Sequence, residues 1–239
     1  PLGVLLYTDE GRDCRYSAQI IRKAAGRATR VLVLRPSLDG RHIVTSRRGL
    51  RTYWLSVEGQ ALSLGQGAKK SNVLGWLLGR LEALSSLSST ERRLSVLPVD
   101  IRSHRIPMRL PHQATATVLM TYPDERTADE TESTMKEALG RAFRWRLEKV
   151  GERPAMVARK HHVRPGQEIL KVAEEWEISI RSQSSAMPSV AGLVPATTAV
   201  VCGLGPVCKD IYTQHESVGR SSLMKRTLLL AQYLLSISR

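Results

Sequence analysis

Two adjacent histidines, His161 and His162, offer metal-binding nitrogens, and they sit between Lys160 and Arg164. On a strand, neighbouring side chains point to opposite faces, so the pair does not converge on one ion. With its flanking cations it reads as a basic surface patch. Cys14, Cys202 and Cys208 form an odd, sparse set. It lacks the close pairing of a zinc knuckle and gives no disulfide framework. Cys202 and Cys208 read as small buried hydrophobes, and the sparse set points to a reducing compartment. No Gly-x-Ser-x-Gly elbow, dinucleotide-binding glycine fingerprint or P-loop occurs, and Gly65-Gln-Gly-Ala-Lys-Lys70 reads as a flexible basic turn. Arginine is the abundant chemistry, and its planar fork suits phosphate oxygens. The candidate phosphate contacts are Arg47, Arg48, Lys69, Lys70, Arg92, Arg93, Lys160 and Arg164, with further basic clusters at Arg22-Lys23, Arg27 and Arg30, Arg41, Arg102 to Arg109, Arg141 to Arg146, and Lys225-Arg226. Aromatic platforms for bases are scarce, so backbone and shape contacts are expected over sequence readout.

The whole chain carries the same sign. Across 239 residues, Lys and Arg number 36 and Asp and Glu 22, a formal net charge of +14. Such a field attracts polyanions and points to nucleic acid or a ribonucleoprotein setting. The hydrophobic share of 42% supports a folded core, and with aromatics at 5% the packing falls to aliphatic side chains. No stretch approaches the ~20 apolar residues of a membrane span. The Pro-Leu-Gly start enters an apolar run at once, without a targeting peptide. It reads as a processed end, an incomplete chain or a break within a larger fold.

Elements that would position these residues follow from periodicity. Residues 3–9 and 31–34 are apolar runs read as buried strands, and 17–26 places Ile20, Ile21, Ala24 and Ala25 at helical spacing, a βαβ unit. In 52–58, Tyr53, Leu55 and Val57 alternate with Trp54, Ser56 and Glu58, a strand with one wet face. A helix follows with Leu74, Leu77, Leu78, Leu81 and Leu84 on one stripe. Strands are expected at 93–101 and 114–122, a helix over 127–149 with Asp129, Glu130 and Glu132 in its first turn, and a strand at 154–160. Together they give βαββαβ, the ferredoxin-like order. Beyond it, Pro165 opens a helix bearing Ile169, Val172, Ala173, Trp176 and Ile180. Short strand-like pieces fill 188–207, and a terminal helix over 219–237 uses Met224, Leu228, Ala231 and Leu235.

An inserted βαββαβ module within an α/β domain resembles the M20-type dinuclear-zinc exopeptidases, the carboxypeptidase G2-like and acetylornithine-deacetylase-like enzymes. Four motifs carry the resemblance in order. Gly3-Val-Leu-Leu-Tyr-Thr-Asp-Glu10 is similar to the family strand ending Thr-Asp-Glu-Glu, and Val31-Leu-Val-Leu-Arg-Pro-Ser37 to Leu-Val-Leu-Glu-Pro-Ser. Val44-Thr-Ser-Arg-Arg-Gly49 resembles the approach to the module, and Gly203-Leu-Gly-Pro206 with Tyr212-Thr-Gln-His-Glu-Ser-Val218 resembles Gly-Leu-Gly-Pro followed by His-Thr-x-x-Glu-x-Val. The resemblance implies an α/β fold, a partial zinc-peptidase-like core with an inserted α+β ferredoxin-like module. It divides the chain into 1–47 (core, first part), 48–160 (lid or dimerisation module) and 161–239 (core, second part).

In that family two zinc ions about 3.5–4 Å apart activate a bridging water. The resemblance places Glu10 at the general base. It places Gly11 where a Glu ligand belongs, Arg35 where a carboxylate ligand belongs and Tyr212 where the late His ligand belongs. Unit charges ~4 Å apart at an effective dielectric of ~20 interact by about 4 kcal/mol, so a guanidinium facing a dication is repelled by roughly twice that. In the module, Ser63, Met108 and Thr121 stand where the family has its His, Asn and Arg. The turn Ala191-Gly-Leu-Val-Pro195 lacks the family's acidic residue, and Glu216 matches a structural Glu.

The expectation is a non-catalytic protein with no metal or other cofactor. It would be a basic structural subunit of an RNA-rich assembly, with RNA and other proteins as partners and no membrane. A mitochondrial ribosome, in the matrix, is the first setting. The module adds dimerisation as an implied partner mode. The alternatives are a zinc peptidase or amidohydrolase whose other ligands lie upstream, and a regulatory partner of an active paralogue.

Overall fold

The computed structural model describes all residues except 38, 67–71, 159 and 239. Two compact units emerge, one from residues 1–48 with 155–239 and the other from 49–154. In chain order the elements are α1 (Ala18–Ala25), β1 (Arg30–Leu32), β2 (His42–Arg47), β3 (Gly49–Glu58), α2 (Val73–Ser85), β4 (Ser95–Ser103), β5 (Gln113–Tyr122), α3 (Glu125–Leu139) and β6 (Arg144–Arg153). Then come α4 (Lys160–Glu175), β7 (Arg181–Ser185), β8 (Ala199–Val201), β9 (Cys208–Lys209), β10 (Ser217–Val218) and α5 (Arg220–Ser238).

The first unit is built on short strands, of which β2 and β8 are the most deeply buried. β1 runs parallel to β8 and β2 parallel to β7, and paired backbone bonds between Val44 and Cys202 join the two pairs. Ile43 and Val44 point to opposite sides of β2, yet both are buried. Ile43 packs with Ile169, Val172 and Ala173 of α4 and with Leu229 and Tyr233 of α5. Val44 packs with Ala25, Ala191 and Val194. Helices thus cover both faces, the arrangement that parallel strands require.

Several expectations need correction here. Residues 3–9 form no strand; Val4 and Leu6 are exposed and the run has no ladder partner among the described residues. An apolar run becomes a strand only where an edge receives it. The βαβ unit therefore gives way to β1 paired with β8. α4 begins at Lys160, so Pro165 lies inside it, and the described residues of 154–160 hold no strand. Ile180 falls outside that helix, and Trp176 is exposed. α5 packs by Arg226, Leu229 and Tyr233, which leaves Met224, Leu228, Ala231 and Leu235 exposed.

The second unit is a four-stranded antiparallel sheet in the order β4-β5-β3-β6, with α2 and α3 on one face. Alternation sets that face. Tyr53, Leu55 and Val57 of β3 and Ala114, Ala116, Val118, Met120 and Tyr122 of β5 are all buried. α2 starts where the Asn72 side chain accepts the Leu74 N–H at 2.9 Å, and α3 where Asp124 accepts from Thr127 at 2.9 Å. Buried Leu77, Leu81 and Leu84 hold α2 down, whereas Leu78 is exposed. α3 stops ten residues short of its expected end because Gly140 adopts φ +65°, a conformation that terminates a helix. Residues 144–153 then form β6, with Phe143 packed on Trp76.

A buried cation fastens α3 to this sheet. Arg51 of β3 is 4% exposed. Its guanidinium meets Asp129 at 2.7 Å, Glu125 at 3.0 Å and Glu132 at 3.5 Å on α3, and Glu152 of β6 at 2.7 Å. It also lies 5.4 Å from the Tyr122 ring centre. Burial opposes ionisation of Glu132, but hydrogen bonds from Lys136 and Tyr53 outweigh it and hold that carboxyl below its ordinary range. A carboxyl so depressed stabilises the fold above the ordinary Glu range, and the contribution is lost as pH falls through the lowered value. We predict that Arg51→Met lowers stability at neutral pH by about 3–5 kcal/mol, because four carboxylates lose their shared cation. The gap between variant and wild type should shrink as the pH falls below the ordinary Glu range and through the lowered Glu132 value. Urea midpoints followed by tryptophan emission, at neutral pH and across that fall, check both statements.

Candidate functional site

The four positions marked in the sequence meet in the first unit. Asp9 shapes the loop that carries Glu10. Its carboxylate accepts the backbone N–H of Tyr16 at 2.8 Å and of Ser17 at 3.0 Å, and the Ser17 hydroxyl at 2.5 Å. The Ser17 hydroxyl, then the backbone donors, hold the Asp9 carboxyl below its ordinary range. Residues Glu10–Arg12 consequently form a 3-10 turn ahead of α1, and Tyr7 Oη donates to Glu10 Oε2 at 3.4 Å.

Arg35 follows β1, and its backbone is held by the glycine motif. The Gly205 N–H bonds the Arg35 carbonyl at 3.0 Å, and a Cβ on Gly205 would run into the carbonyl oxygens of Leu34 and Arg35. Gly203 sits at φ +73°, where a Cβ would strike Val44. Gly203-Leu-Gly-Pro206 therefore exists to let two backbones touch. The Arg35 side chain, 8% exposed, forms an ion pair with Glu10 Oε1. Its guanidinium carbon lies 5.9 Å from the Tyr212 ring centre. Tyr212 stands at φ +68°, with its N–H donating to Glu216 Oε2 at 2.8 Å. Burial, then Cys14, push the Tyr7 phenol up to about 12, against the opposing pull of Arg35.

These residues do not fit a dinuclear zinc pair. One Glu10 oxygen already bonds a guanidinium. Gly11 supplies no ligating atom, although a Cβ there would meet nothing within 4 Å, so packing does not demand glycine. Arg35 and Tyr212 place a cation and a phenol where the resemblance asks for a carboxylate and an imidazole. Among the described residues no three His, Cys, Asp or Glu side chains converge on one point. What the cluster does is tie three chain segments together through one guanidinium.

The remaining candidates scatter. Arg47 is not a surface cation: it is 5% exposed and donates to Cys202 Sγ at 3.1 Å, Ser185 Oγ at 3.1 Å and the Met187 carbonyl at 2.9 Å. Arg48 is half-buried, with its N–H on the Ser185 carbonyl. Arg92 and Arg93 lie exposed in the turn before β4, Arg92 reaching Glu130 at 3.3 Å. Arg164 is exposed and meets Glu168 at 3.0 Å. Lys160 opens α4, and Lys69 and Lys70 lie outside the described residues. In the second unit Ser63 bridges Arg109 beside Met108, whereas Thr121 sits at the far end of β5. Two interactions escaped sequence reasoning. The spacing of Glu125, Asp129 and Glu132 at i, i+4 and i+7 marks one helix face awaiting a cation. Tyr7, two residues before Asp9, carried no signal.

We predict that Glu10→Gln and Arg35→Met each destabilise the first unit by about 1–3 kcal/mol, since the pair is only partly shielded from water. The double variant should cost less than the sum. A coupling near zero in that cycle would show that the contact does not hold the segments.

No family model matches the chain, and no curated protein matches it. Solved structures do. Aminopeptidase PepT from Bacillus cereus superposes with a TM-score of 0.74 at 14% identity, over 95% of this chain and 63% of its own. A tripeptidase from Staphylococcus aureus gives 0.71 at 11% identity, over 88% and 56%. An amidase of the hydantoinase/carbamoylase family from Burkholderia multivorans gives 0.62 at 17% identity, over 81% and 49%. The chain spans 63% or less of the length of each of these three. What they share with it is architecture: this chain has the α/β fold of these peptidases and amidases, over part of their extent.

Proposed function

We propose that this chain is a non-hydrolysing protein of the peptidase fold that serves as a basic structural subunit of an RNA-rich assembly, such as a mitochondrial ribosome. The observation that carries the first half is the Arg35 guanidinium on Glu10. A general base must accept a proton from water, and a metal ligand must offer oxygen to a dication. A buried arginine in contact serves neither task, because its charge opposes the metal and its N–H groups take the lone pairs. The second half rests on the net charge of +14. A field of that size draws polyanions and makes association depend on salt.

A second reading is favoured by the fold neighbours, which bear the names of peptidases and amidases. In it, an upstream segment brings further ligands, Arg35 swings away and Glu10 recovers its role in hydrolysis. Either reading concerns the whole protein.

Zinc analysis of the full-length protein, with a dipeptide and tripeptide hydrolysis assay, separates the two. The first reading predicts substoichiometric zinc, no turnover and a Tm unchanged by chelator. It also predicts a shift of labelled RNA that weakens steeply as salt rises. Stoichiometric zinc with turnover would establish the second reading instead.

A further inference from the structure

The second unit leaves one face of its sheet uncovered, and that face carries an ordered pattern. Side chains opposite the helix-covered set line up across the strands. One row reads Asp100, Thr117, Trp54 and Glu148, from β4 through β5 and β3 to β6. The next reads Arg102, Thr115, Ser56 and Arg146, and the next Gln113, Glu58 and Arg144. Trp54 stands mid-strand on a central strand and is 44% exposed. Its neighbours Thr117, Thr115 and Ser56 are short and polar, and the row on its other side reads Leu97, Leu119 and Thr52, so the indole rises from a low floor that is polar toward the arginines and apolar away from them.

The end of the sheet beyond these rows is cationic. The β4–β5 loop brings Arg105 and Arg109, and the turn before β6 brings Arg141. With Arg102, Arg144 and Arg146, six arginines face three carboxylates, Glu58, Asp100 and Glu148. Arg146 meets Glu148 at 3.2 Å and Arg102 meets Asp100 at 2.9 Å. Among the described residues, Arg105, Arg109, Arg141 and Arg144 have no carboxylate partner, and all four are exposed. The loop is not loose: Leu64 N–H bonds the Met108 carbonyl at 3.1 Å, Leu110 N–H the Leu62 carbonyl at 2.9 Å and Gly59 N–H the His112 carbonyl at 2.8 Å.

From this juxtaposition we infer that the open sheet face of the second unit binds single-stranded nucleic acid, one base stacking on Trp54 and the backbone running toward the arginine rim. The inference deepens the RNA reading proposed above and rests on it. An antiparallel four-stranded sheet with an exposed aromatic on a central strand offers a base its π-face, and an adjoining set of guanidiniums offers the phosphates their counter-charge. The carboxylates in the indole's own row add a preference. Glu148 lies on the neighbouring strand, about 5 Å across, and accepts hydrogen bonds. It favours bases with an exocyclic amine, as in cytosine and adenine, over uracil. A neutral sugar also stacks on an indole, but it gains nothing from an arginine rim; charge complementarity favours the polyanion.

The test is fluorescence anisotropy of the full chain with labelled 12-mers of cytidine, adenosine and uridine, across a salt series. Trp54 is exposed, so Trp54→Ala should fold as the wild type does, which circular dichroism verifies. It should weaken cytidine binding by about 5- to 150-fold while leaving the salt slope unchanged, and Trp54→Phe should recover part of the loss. Arg144→Gln should instead flatten the slope by about 0.7. RNA binding that is indifferent to Trp54→Ala would overturn this inference and leave the RNA reading standing. No binding of any 12-mer would remove both. Trp54-dependent binding of a neutral oligosaccharide, with no RNA affinity, would assign the face to sugar instead.

Discussion

A guanidinium in contact with a carboxylate governs how the first unit is put together. Arg35 leaves the end of β1 with its backbone pressed against Gly205, and its side chain reaches Glu10 on one hand and the Tyr212 ring on the other. Three segments far apart in sequence are thereby fixed at the C-terminal end of a parallel strand. Open α/β sheets present their ligand-binding loops at that end. A hydrolase would use this convergence to hold metal ions. Here the Arg35 guanidinium lies at that convergence, paired with Glu10.

The second unit solves a related problem with the same residue type. Arg51 sits almost fully buried among four carboxylates from α3 and β6, and the cation is what permits that acidic helix face to lie on the sheet. The chain's excess of arginine therefore has two destinations. Arg35, Arg47, Arg51 and Arg226 are internal struts, nearly excluded from solvent, whereas the rim around the open sheet face is wet. Net charge alone does not distinguish these uses. Arg47 illustrates the point: it reads as half of a surface pair, yet it donates to a buried thiol and a carbonyl.

How far the sequence could be read depended on whether each element had one apolar face or several. β3 and β5 alternate cleanly, so the buried sets Tyr53-Leu55-Val57 and Ala114 to Tyr122 were legible residue by residue. α5 carries leucines nearly all round, at 223, 228, 229, 230, 234 and 235, so periodicity could not choose the packed side. Arg226 chooses it, bonding the carbonyls of Gly40 at 3.1 Å and His42 at 2.8 Å. Gly140 ends a helix whose apolar register continues in the sequence, and residues 3–9 lack an edge to join. The site positions came from motif resemblance, and the structure brings Arg35 onto Glu10 and over the Tyr212 ring. That Arg35 bonds Glu10 was not legible, because a side-chain contact between distant segments has no local signature.

Anomalous diffraction at the zinc edge, from crystals of the full-length protein grown with excess zinc, addresses the central point most directly. With the guanidinium seated on Glu10, no anomalous peak should lie within bonding reach of that carboxylate, and Arg35 density should run continuously to it. Two peaks about 3.5–4 Å apart beside Glu10, with Arg35 turned aside, would contradict the account.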